Sequence, residues 1–193
     1  MTSRAHVGPP QPPLSDGVVT LRAPVDGDLV RIHEDGQDPY TQRWVNVPQP
    51  YTVEAARAEL EQIIGWWDDP AAPFPLSIAA AVDGLYLGMV ILFAERPSGI
   101  VELGYGVHPS ARGRGVGRRA VSLATAWAFD VLGAARVEAR TDPENLASQR
   151  LLEKAGFTAE GVERSSREVN GRRHDMRCWA RLPGDPDPAA ATS

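Results

Sequence analysis

Cysteine is almost absent from this chain of 193 residues. Cys178 is the one cysteine, so an internal disulfide and a cysteine-rich zinc site are both excluded. We therefore expect no metal centre of that kind. Such sparse use of cysteine fits a reducing compartment, and we expect a cytoplasmic protein.

Long apolar runs are also lacking. No stretch reaches the roughly 18 consecutive apolar residues that a membrane-spanning helix needs. The opening segment, MTSRAHVGPPQPPLSDG, has no apolar core of the kind found in signal peptides. We therefore expect neither a membrane span nor a membrane partner.

An overall excess of positive charge is missing as well. The formal net charge is -5, which gives no global electrostatic case for nucleic-acid binding. A hydrophobic content of 42% and a charged content of 23% are ordinary for a globular protein. The length suits one domain with a buried core. A cluster of arginines in an acidic chain therefore calls for an explanation.

The two ends of the chain have a composition typical of flexible tails. Residues 1–15 are rich in proline, glycine and serine, and residues 183–193 read PGDPDPAAATS. Neither stretch buries enough apolar surface to offset the entropy of ordering it. The sequence therefore predicts a folded domain over residues 16–182 between two tails.

The pattern between the tails predicts a mixed α/β domain. We expect a strand at 18–21, a helix at 26–34, a loop at 35–52, and a second helix from the Thr52 cap to about Trp67. Three strands follow, then a helix from Val116, a short strand ARVEART, a helix after Asn145 and a closing hairpin. The pairs Asp83-Gly84 and Asn170-Gly171 are strong hairpin signals.

The segment GYGVHPSARGRGVGRRA, residues 104–120, combines glycines, arginines and a helix start. Glycines permit positive φ and a close backbone approach, and successive free N–H groups form an anion nest. The following helix start adds partial positive charge. The four arginines offer charge-assisted hydrogen bonds worth roughly 1.5–3 kcal/mol each. The predicted ligand is a phosphate or pyrophosphate; the alternative is an arginine-rich surface turn.

Two common phosphate-binding motifs do not fit this segment. A P-loop needs lysine followed by serine or threonine after its last glycine, whereas Arg118 and Arg119 follow Gly117. A Rossmann fingerprint needs GxGxxG in a parallel strand–helix–strand unit. The spacing here is GxGxG, and a predicted hairpin precedes it. Nucleotide hydrolysis and dinucleotide binding are both disfavoured.

The stretch VHPSARGRGVG resembles the acetyl-CoA motif of the GCN5-related N-acetyltransferase (GNAT) family. The family pattern [Q/R]-x-x-G-x-[G/A] is matched by Arg112, Gly115 and Gly117. Three further stretches, VTLRAPVDGDL, ELGYGVHP and NLASQRLLEKAGFTAEGVERS, resemble the RimJ/RimL-type subgroup that acetylates ribosomal-protein N-termini. The resemblance covers residues 16–182. It implies the GNAT acyl-CoA N-acyltransferase fold, a mixed, mostly antiparallel sheet with a splayed central strand pair and flanking helices.

The resemblance also implies a site for acetyl-CoA as cosubstrate. The strand backbone would contact the acetyl and pantetheine end, the glycine-rich loop would cradle the pyrophosphate, and Asn145 would bind the pantetheine arm. The residues so implied are Tyr105, Gly106, Val107, Arg112, Gly113, Arg114, Gly115, Val116, Gly117, Arg118, Asn145 and Ser148. From its position alone, Asn145 is equally a helix cap.

Catalysis by the family requires that the amine lose a proton, and the leaving thiolate benefits from a proton or a hydrogen bond. Glu102 is the predicted general base, acting directly or through water; the alternative is a surface residue on an edge strand. Ser148 lies on the same helix face as Asn145, and the resemblance places it near the thiol, where it would donate to the thiolate. Many family members use a tyrosine further along this helix, but Leu152 and Glu153 occupy that turn. Tyr105 is the weaker substitute.

The acceptor is predicted to lie beside the loop before the second helix, against Trp44, Tyr51 and Glu102. The alternative is that the aromatic residues pack the loop onto the sheet. An α-amine has a pKa near 7.7–8.0 and lysine one near 10.4, so at pH 7.5 roughly a third of an α-amine is neutral, against about 0.1% of a lysine. A site with a modest base therefore favours α-amines.

The sequence thus predicts an acetyl-CoA-dependent N-acetyltransferase acting on a protein N-terminus. A small-molecule amine (an antibiotic, polyamine or amino acid) and a longer acyl-CoA donor remain alternatives within the same chemistry. An alternative of another class is a non-catalytic acyl-CoA-binding module, since the usual tyrosine is missing. The expected partners are acetyl-CoA and an amine acceptor, not nucleic acid, and the protein is expected to be a monomer or homodimer.

Overall fold

An eight-stranded mixed sheet organises the chain in the computed structural model, which describes residues 7–95 and 98–186. The strand order is β1-β2-β3-β4-β5-β6-β8-β7. The strands are β1 (Leu14–Ser15), β2 (Val19–Arg22), β3 (Phe74–Ala80), β4 (Tyr86–Glu95), β5 (Ile100–Val107), β6 (Arg136–Thr141), β7 (Thr158–Val169) and β8 (Arg172–Arg181). The helices are α1 (Leu29–Gln37), α2 (Pro39–Trp44), α3 (Val53–Gly65), α4 (Val116–Asp130) and α5 (Leu146–Lys154). The predicted α/β class is confirmed.

The centre of the sheet opens where β5 meets β6. Among the strands of the described residues, β5 and β6 alone run parallel, and the other neighbouring strands pair antiparallel. Their register covers three pairs and ends at Glu102–Glu138; in the described residues no pairing between these strands follows. Because β5 continues to Val107 and β6 to Thr141, their carboxyl ends separate. The predicted splayed pair is confirmed.

The main core lies between the sheet and α4. Side chains alternate along β5, so that Val101 and Leu103 are buried on the face that carries this core. The apolar stripe of α4 packs on the same face through residues such as Ala124 and Trp127, and Trp127 meets Phe74 edge-on. Each large apolar side chain buried here contributes roughly 1.5–3 kcal/mol. This packing fixes the start of α4 beside the open end of β5.

A smaller core lies beneath α1 and α3. It contains Ile32, Leu60, Ile63 and Tyr86, and the ring of Tyr51 fills the space beside Gly36. The predicted Thr52 cap of α3 is confirmed, because the Thr52 side chain accepts a hydrogen bond from Ala55 N.

The predicted loop at 35–52 contains a helix that the sequence analysis missed. Asp38 caps α2 by accepting from Thr41 N, and Pro39 occupies the first turn, where its missing N–H costs nothing. With six residues, α2 is too short to show an apolar period. The helix nonetheless decides the shape of the site, since it covers the opening between β5 and α5.

The predicted N-terminal tail is partly built into the fold. Leu14–Ser15 pairs with β2, Val7 packs against the main core and Pro10 is buried. Residues 1–6 and 187–193 of the two predicted tails lie outside the described residues. Within 7–95 and 98–186, no helix combines the length and the apolar character needed to cross a membrane.

Candidate active site

A cleft of about 430 Å3 opens between β5, the start of α4, α5 and α2. Its size is in the usual range for small-molecule sites. From the predicted set it is lined by Trp44, Tyr105, Gly106, Val107, Arg112, Gly113, Gly115, Val116, Gly117, Arg118, Asn145 and Ser148. The structure therefore brings together residues from four separate elements. Arg114 is exposed and does not line the cleft.

The glycine loop forms a cradle of backbone donors at one end of the cleft. Gly113 and Gly115 have φ of 75° and 76°, which L residues with side chains rarely adopt. Gly115 is the N-cap of α4, and Arg119 N is bonded to Gly115 O at 3.2 Å. The N–H groups of the preceding turn have no carbonyl in the helix to bond. A polyphosphate anion fits this donor set.

Gly117 allows α4 and α5 to approach each other closely. A Cβ at this position would lie 2.5 Å from Leu151 Cδ1 and 3.0 Å from Val107 Cγ2. Val107 belongs to the cleft strand and Leu151 to the opposite wall. The glycine therefore sets the width of the cleft.

The four arginines of the motif have different roles in the structure. The Arg112 guanidinium donates to Val107 O, Thr41 Oγ1 and Asp38 Oδ2 at 2.9, 2.9 and 2.8 Å, so it joins the motif to α2. Arg119 is paired with Asp16 at 2.7 Å. Among the described residues, Arg114 and Arg118 have no ion pair. Of these two, Arg118 lines the cleft and has a charge available for an anion.

The N-terminus of α5 forms the opposite wall. Asn145 Oδ1 accepts from Ser148 N and from the Tyr40 hydroxyl, both at 3.1 Å, so the capping interpretation of Asn145 is confirmed. Two basic residues that the sequence analysis missed, Arg150 and Lys154, also line the cleft. Their spacing of four residues on a helix that begins at the predicted site was the available signal.

Two hydroxyl groups meet in the middle of the cleft. Tyr105 Oη and Ser148 Oγ lie 2.7 Å apart, and either oxygen can be the donor. Burial raises the pKa of the Tyr105 phenol well above its usual value, although the Ser148 contact opposes this. The phenol therefore stays protonated at neutral pH. The pair is a source of O–H donors inside the cleft.

Glu102 does not line this cleft. It lies in a separate cavity of about 390 Å3 with Phe93, Glu138 and Arg140, and its Oε2 accepts from Arg140 Nη1 at 2.8 Å. Along β5 it is four residues from Gly106, which is about 13 Å in an extended strand. The sequence could not anticipate the arginine partner, which comes from β6.

The aromatic residues predicted to contact the acceptor separate into two groups. Tyr51 is 4% exposed and its hydroxyl donates to Glu59 Oε2 at 2.6 Å, so its position is that of a core residue. Trp44 lines the cleft, and its indole Nε1 is buried with no hydrogen-bond partner among the described residues.

Two carboxylates that the sequence analysis did not single out contact residues that line the cleft, Thr41 and Arg112. Asp35 Oδ1 accepts from Thr41 Oγ1 at 2.8 Å and lies 3.6 Å from Arg112 Nη2. Burial raises the pKa of Asp35, and the Thr41 hydrogen bond and the Arg112 charge oppose this only in part. For Asp38, burial is outweighed by the Thr41 N–H and Arg112, which lower its pKa.

His108 is 4% exposed beside the motif and accepts from Ser110 N, which supports a structural role. Within the described part of the chain, no three His, Cys, Asp or Glu side chains are grouped so as to hold a metal ion.

Comparison with known proteins agrees with this geometry. The sequence profile of the family described as "Acetyltransferase (GNAT) domain" matches residues 19–158. "Probable N-acetyltransferase YjcK" of Bacillus subtilis is 33% identical over 137 residues, covering 70% of this chain and 75% of the relative.

Solved structures share the fold. RimJ of Mycobacterium smegmatis, solved in complex with CoA-disulfide, has a TM-score of 0.78 at 22% identity and covers 90% of this chain and 87% of its own. The microcin C7 self immunity acetyltransferase MccE, solved with acetyl-CoA and AMP, has a TM-score of 0.77 at 17% identity, covering 88% and 94%. At these identities the likeness concerns the fold alone.

Proposed function

Because this chain belongs to the GNAT acetyltransferase family and is an acetyl-CoA-dependent N-acetyltransferase, we propose that it acetylates a protein N-terminal α-amine by direct attack in a ternary complex. One observation carries the site assignment. The glycine cradle and the Tyr105–Ser148 hydroxyl pair lie in the same cleft, beside the splayed end of β5.

The cradle is proposed to hold the pyrophosphate of acetyl-CoA. The free N–H groups at the start of α4 and the Arg118 guanidinium supply the donors, and Arg150 and Lys154 add positive charge from α5. The unpaired edge of β5 around Gly106 is proposed to hold the pantetheine arm and the thioester, assisted by Asn145. The Arg112 side chain is proposed to act indirectly: it holds α2 against the motif and does not itself bind the pyrophosphate.

In the proposed reaction, the neutral amine attacks the thioester carbon, a C–N bond forms and the C–S bond breaks. A backbone N–H of β5 is proposed to stabilise the oxyanion. The leaving sulfur takes up one proton from the attacking nitrogen through the Tyr105–Ser148 pair. This pair takes the place of the tyrosine that is absent from the later turn of α5, where Leu152 is buried.

An α-amine acceptor is favoured by its acidity. Roughly a third of an α-amine is neutral at pH 7.5, against about 0.1% of a lysine. Deprotonating an α-amine therefore needs a much weaker base.

Thiol release from acetyl-CoA tests the acceptor class. We would compare hexapeptides that carry a free N-terminal alanine, serine or methionine with the same peptides blocked at Nα and carrying one lysine, and with spermidine. The proposal predicts kcat/KM at least about 10-fold higher for the free α-amines at pH 7.5. Preferred turnover of spermidine or of the blocked peptides would refute the α-amine assignment and leave the acetyltransferase assignment intact. Repeating the series with a longer acyl-CoA measures the donor preference.

A further inference from the structure

An acceptor has room to approach β5 on the face of the sheet that is opposite to α4. Glycines occupy positions 104 and 106 on that face, in register with Ile91 and Met89 of β4. Among the described residues, a Cβ on Gly104 would have Phe93 alone within 4 Å, at 3.7 Å, and a Cβ on Gly106 would have Asp35 Oδ2 alone, at 3.9 Å. The backbone of the cleft strand is therefore uncovered beside the Asp35 carboxylate.

The two oxygens of Asp35 have different surroundings. Oδ1 is held by the Thr41 hydroxyl at 2.8 Å and faces Arg112 at 3.6 Å. Oδ2 has no hydrogen-bond partner in the part of the chain that the structure describes, and it is the atom beside Gly106. The side chain is 14% exposed, so the carboxylate is fixed in place and still reachable. One oxygen is thus an anchor and the other is available to a ligand.

A second, independent feature of the cleft is a buried donor without a partner in the described part of the chain, carried by α2. The Trp44 indole Nε1 is buried without a partner among the described residues, although Trp44 lines the cleft on the same helix as Thr41. A buried donor without a partner costs about 1–3 kcal/mol. A ligand in the cleft that carries an acceptor oxygen would pair this donor.

The geometry points to Asp35, rather than Glu102, as the carboxylate that binds the acceptor ammonium and accepts its proton. This inference rests on the proposed function, since it assumes that the thioester lies along β5 near Gly106. Under this inference the acceptor is a primary amine that arrives protonated, as the N-terminus of a peptide can.

The proton balance of the step is complete. The ammonium gives one proton to Asp35 Oδ2, which later releases it to solvent. The neutral nitrogen then attacks the thioester carbon; the C–N bond forms and the C–S bond breaks. The second proton leaves the nitrogen through the Tyr105–Ser148 pair and ends on the CoA sulfur. The products are the amide, CoA thiol and one released proton.

The environment of Asp35 suits a proton acceptor. Asp35 Oδ1 lies 3.6 Å from the Arg112 guanidinium, whereas Asp38 Oδ2 lies 2.8 Å from it. The ion pair of Arg112 is therefore stronger with Asp38 than with Asp35. Burial is the main cause of the raised pKa of Asp35. A base with a raised pKa holds the proton better once it has taken it. The titratable and charged groups that face Asp35 are Arg112, His108, Asp38, Tyr51 and Tyr86.

The test compares Asp35→Asn with Glu102→Gln in the thiol-release assay, using acetyl-CoA and the alanine-initiated hexapeptide. Glu34→Gln is the matched control, because it removes a carboxylate one residue away that is 52% exposed and contacts His108, whereas Asp35 lies beside Gly106. We expect Asp35→Asn to lower kcat/KM roughly 10²- to 10⁴-fold at pH 7, the range of a positioned base. Glu102→Gln and Glu34→Gln should stay within about threefold of wild type.

Three readouts separate a base from a structural residue. Acetyl-CoA affinity by calorimetry should be unchanged in Asp35→Asn. The deficit should shrink as pH rises through the pKa of the free α-amine, near 8. Hydroxylamine, a nucleophile that is uncharged at neutral pH, should be acetylated by Asp35→Asn at close to the wild-type rate. Asp35→Ser, with thermal unfolding of both variants, provides a second substitution in case the first disturbs the fold.

The outcomes are distinguishable. An equal loss with peptide and hydroxylamine, or a full rate in Asp35→Asn with a large loss in Glu102→Gln, would overturn the assignment of Asp35. Wild-type protein that binds acetyl-CoA but acetylates none of the amines would instead overturn the proposed function.

Discussion

Replacing Arg112 by glutamine tests the most unexpected feature of the site. The motif position is one where the family accepts either residue, and the resemblance implies a cofactor ligand there. In the structure the guanidinium instead makes three hydrogen bonds, to Val107 O, Thr41 Oγ1 and Asp38 Oδ2. Glutamine cannot reproduce this planar, charged fork. The variant therefore loses the tie between the motif and α2 and leaves Asp35 and Asp38 without a counter-charge.

The magnitude follows from these contacts. Hydrogen bonds to a charged group contribute roughly 1.5–3 kcal/mol each. The side chain is 30% exposed, so solvent screening reduces the sum of three. We expect the free energy of unfolding to fall by about 2–4 kcal/mol, or Tm by roughly 5–15 °C for a chain of this size. Urea unfolding followed by tryptophan fluorescence measures the change.

Arg118→Gln is the matched variant, since Arg118 lines the cleft without an ion pair among the described residues. It should leave the unfolding free energy within about 0.5 kcal/mol of wild type and weaken acetyl-CoA binding roughly 10- to 100-fold. The reasoning is refuted if Arg112→Gln unfolds like wild type and loses more acetyl-CoA affinity than Arg118→Gln. Arg112 would then be a phosphate ligand.

Three further expectations concern the cleft and its carboxylate. Gly117→Ala should lower the free energy of unfolding by about 1–3 kcal/mol, because the new methyl group overpacks the contact between the cleft walls. It should also weaken acetyl-CoA binding. A variant as stable as wild type would show that α4 and α5 can move apart at little cost. Ser148→Ala and Tyr105→Phe should each lower kcat roughly 10- to 100-fold with little change in acetyl-CoA affinity, and the double variant should lose no more than the worse single one. Additive losses would mean separate roles. Asp35→Asn should be more stable than wild type at pH 7, because the raised pKa of Asp35 means that the folded state favours the protonated acid. The protonated acid therefore contributes to the free energy of unfolding in full below the unfolded pKa of 3.8. This contribution is lost as pH rises through the folded pKa. The advantage of the variant, measured by urea unfolding, should grow from pH 3 to 7, and a constant difference would contradict this.

Much of the fold follows from local signals. Asn170 and Gly171 both have positive φ, at 51° and 73°, as a two-residue hairpin requires, and the apolar stripe of α4 is long enough to be recognised. The helix α2 was missed because its signal is a single capped turn, Asp38-Pro39, among residues that are also common in loops.

The site was predictable where it is local and not where it depends on distant partners. The cradle is a continuous stretch, so its spacing already predicts a phosphate site or an arginine-rich turn, and the family resemblance narrows this to a site for acetyl-CoA. Glu102 is predicted from its place on β5, but it lies outside the cleft lining and is paired with Arg140, 38 positions further on. Asp35 reaches Gly106 only through tertiary packing, and no spacing in the sequence indicates that contact.

The central claim, that the cleft between β5, α4 and α5 holds acetyl-CoA, is tested most directly by titration calorimetry with acetyl-CoA and CoA. We predict one site per chain for each ligand, with a Kd below about 1 mM. Wild-type protein that binds neither ligand in this range would contradict the account.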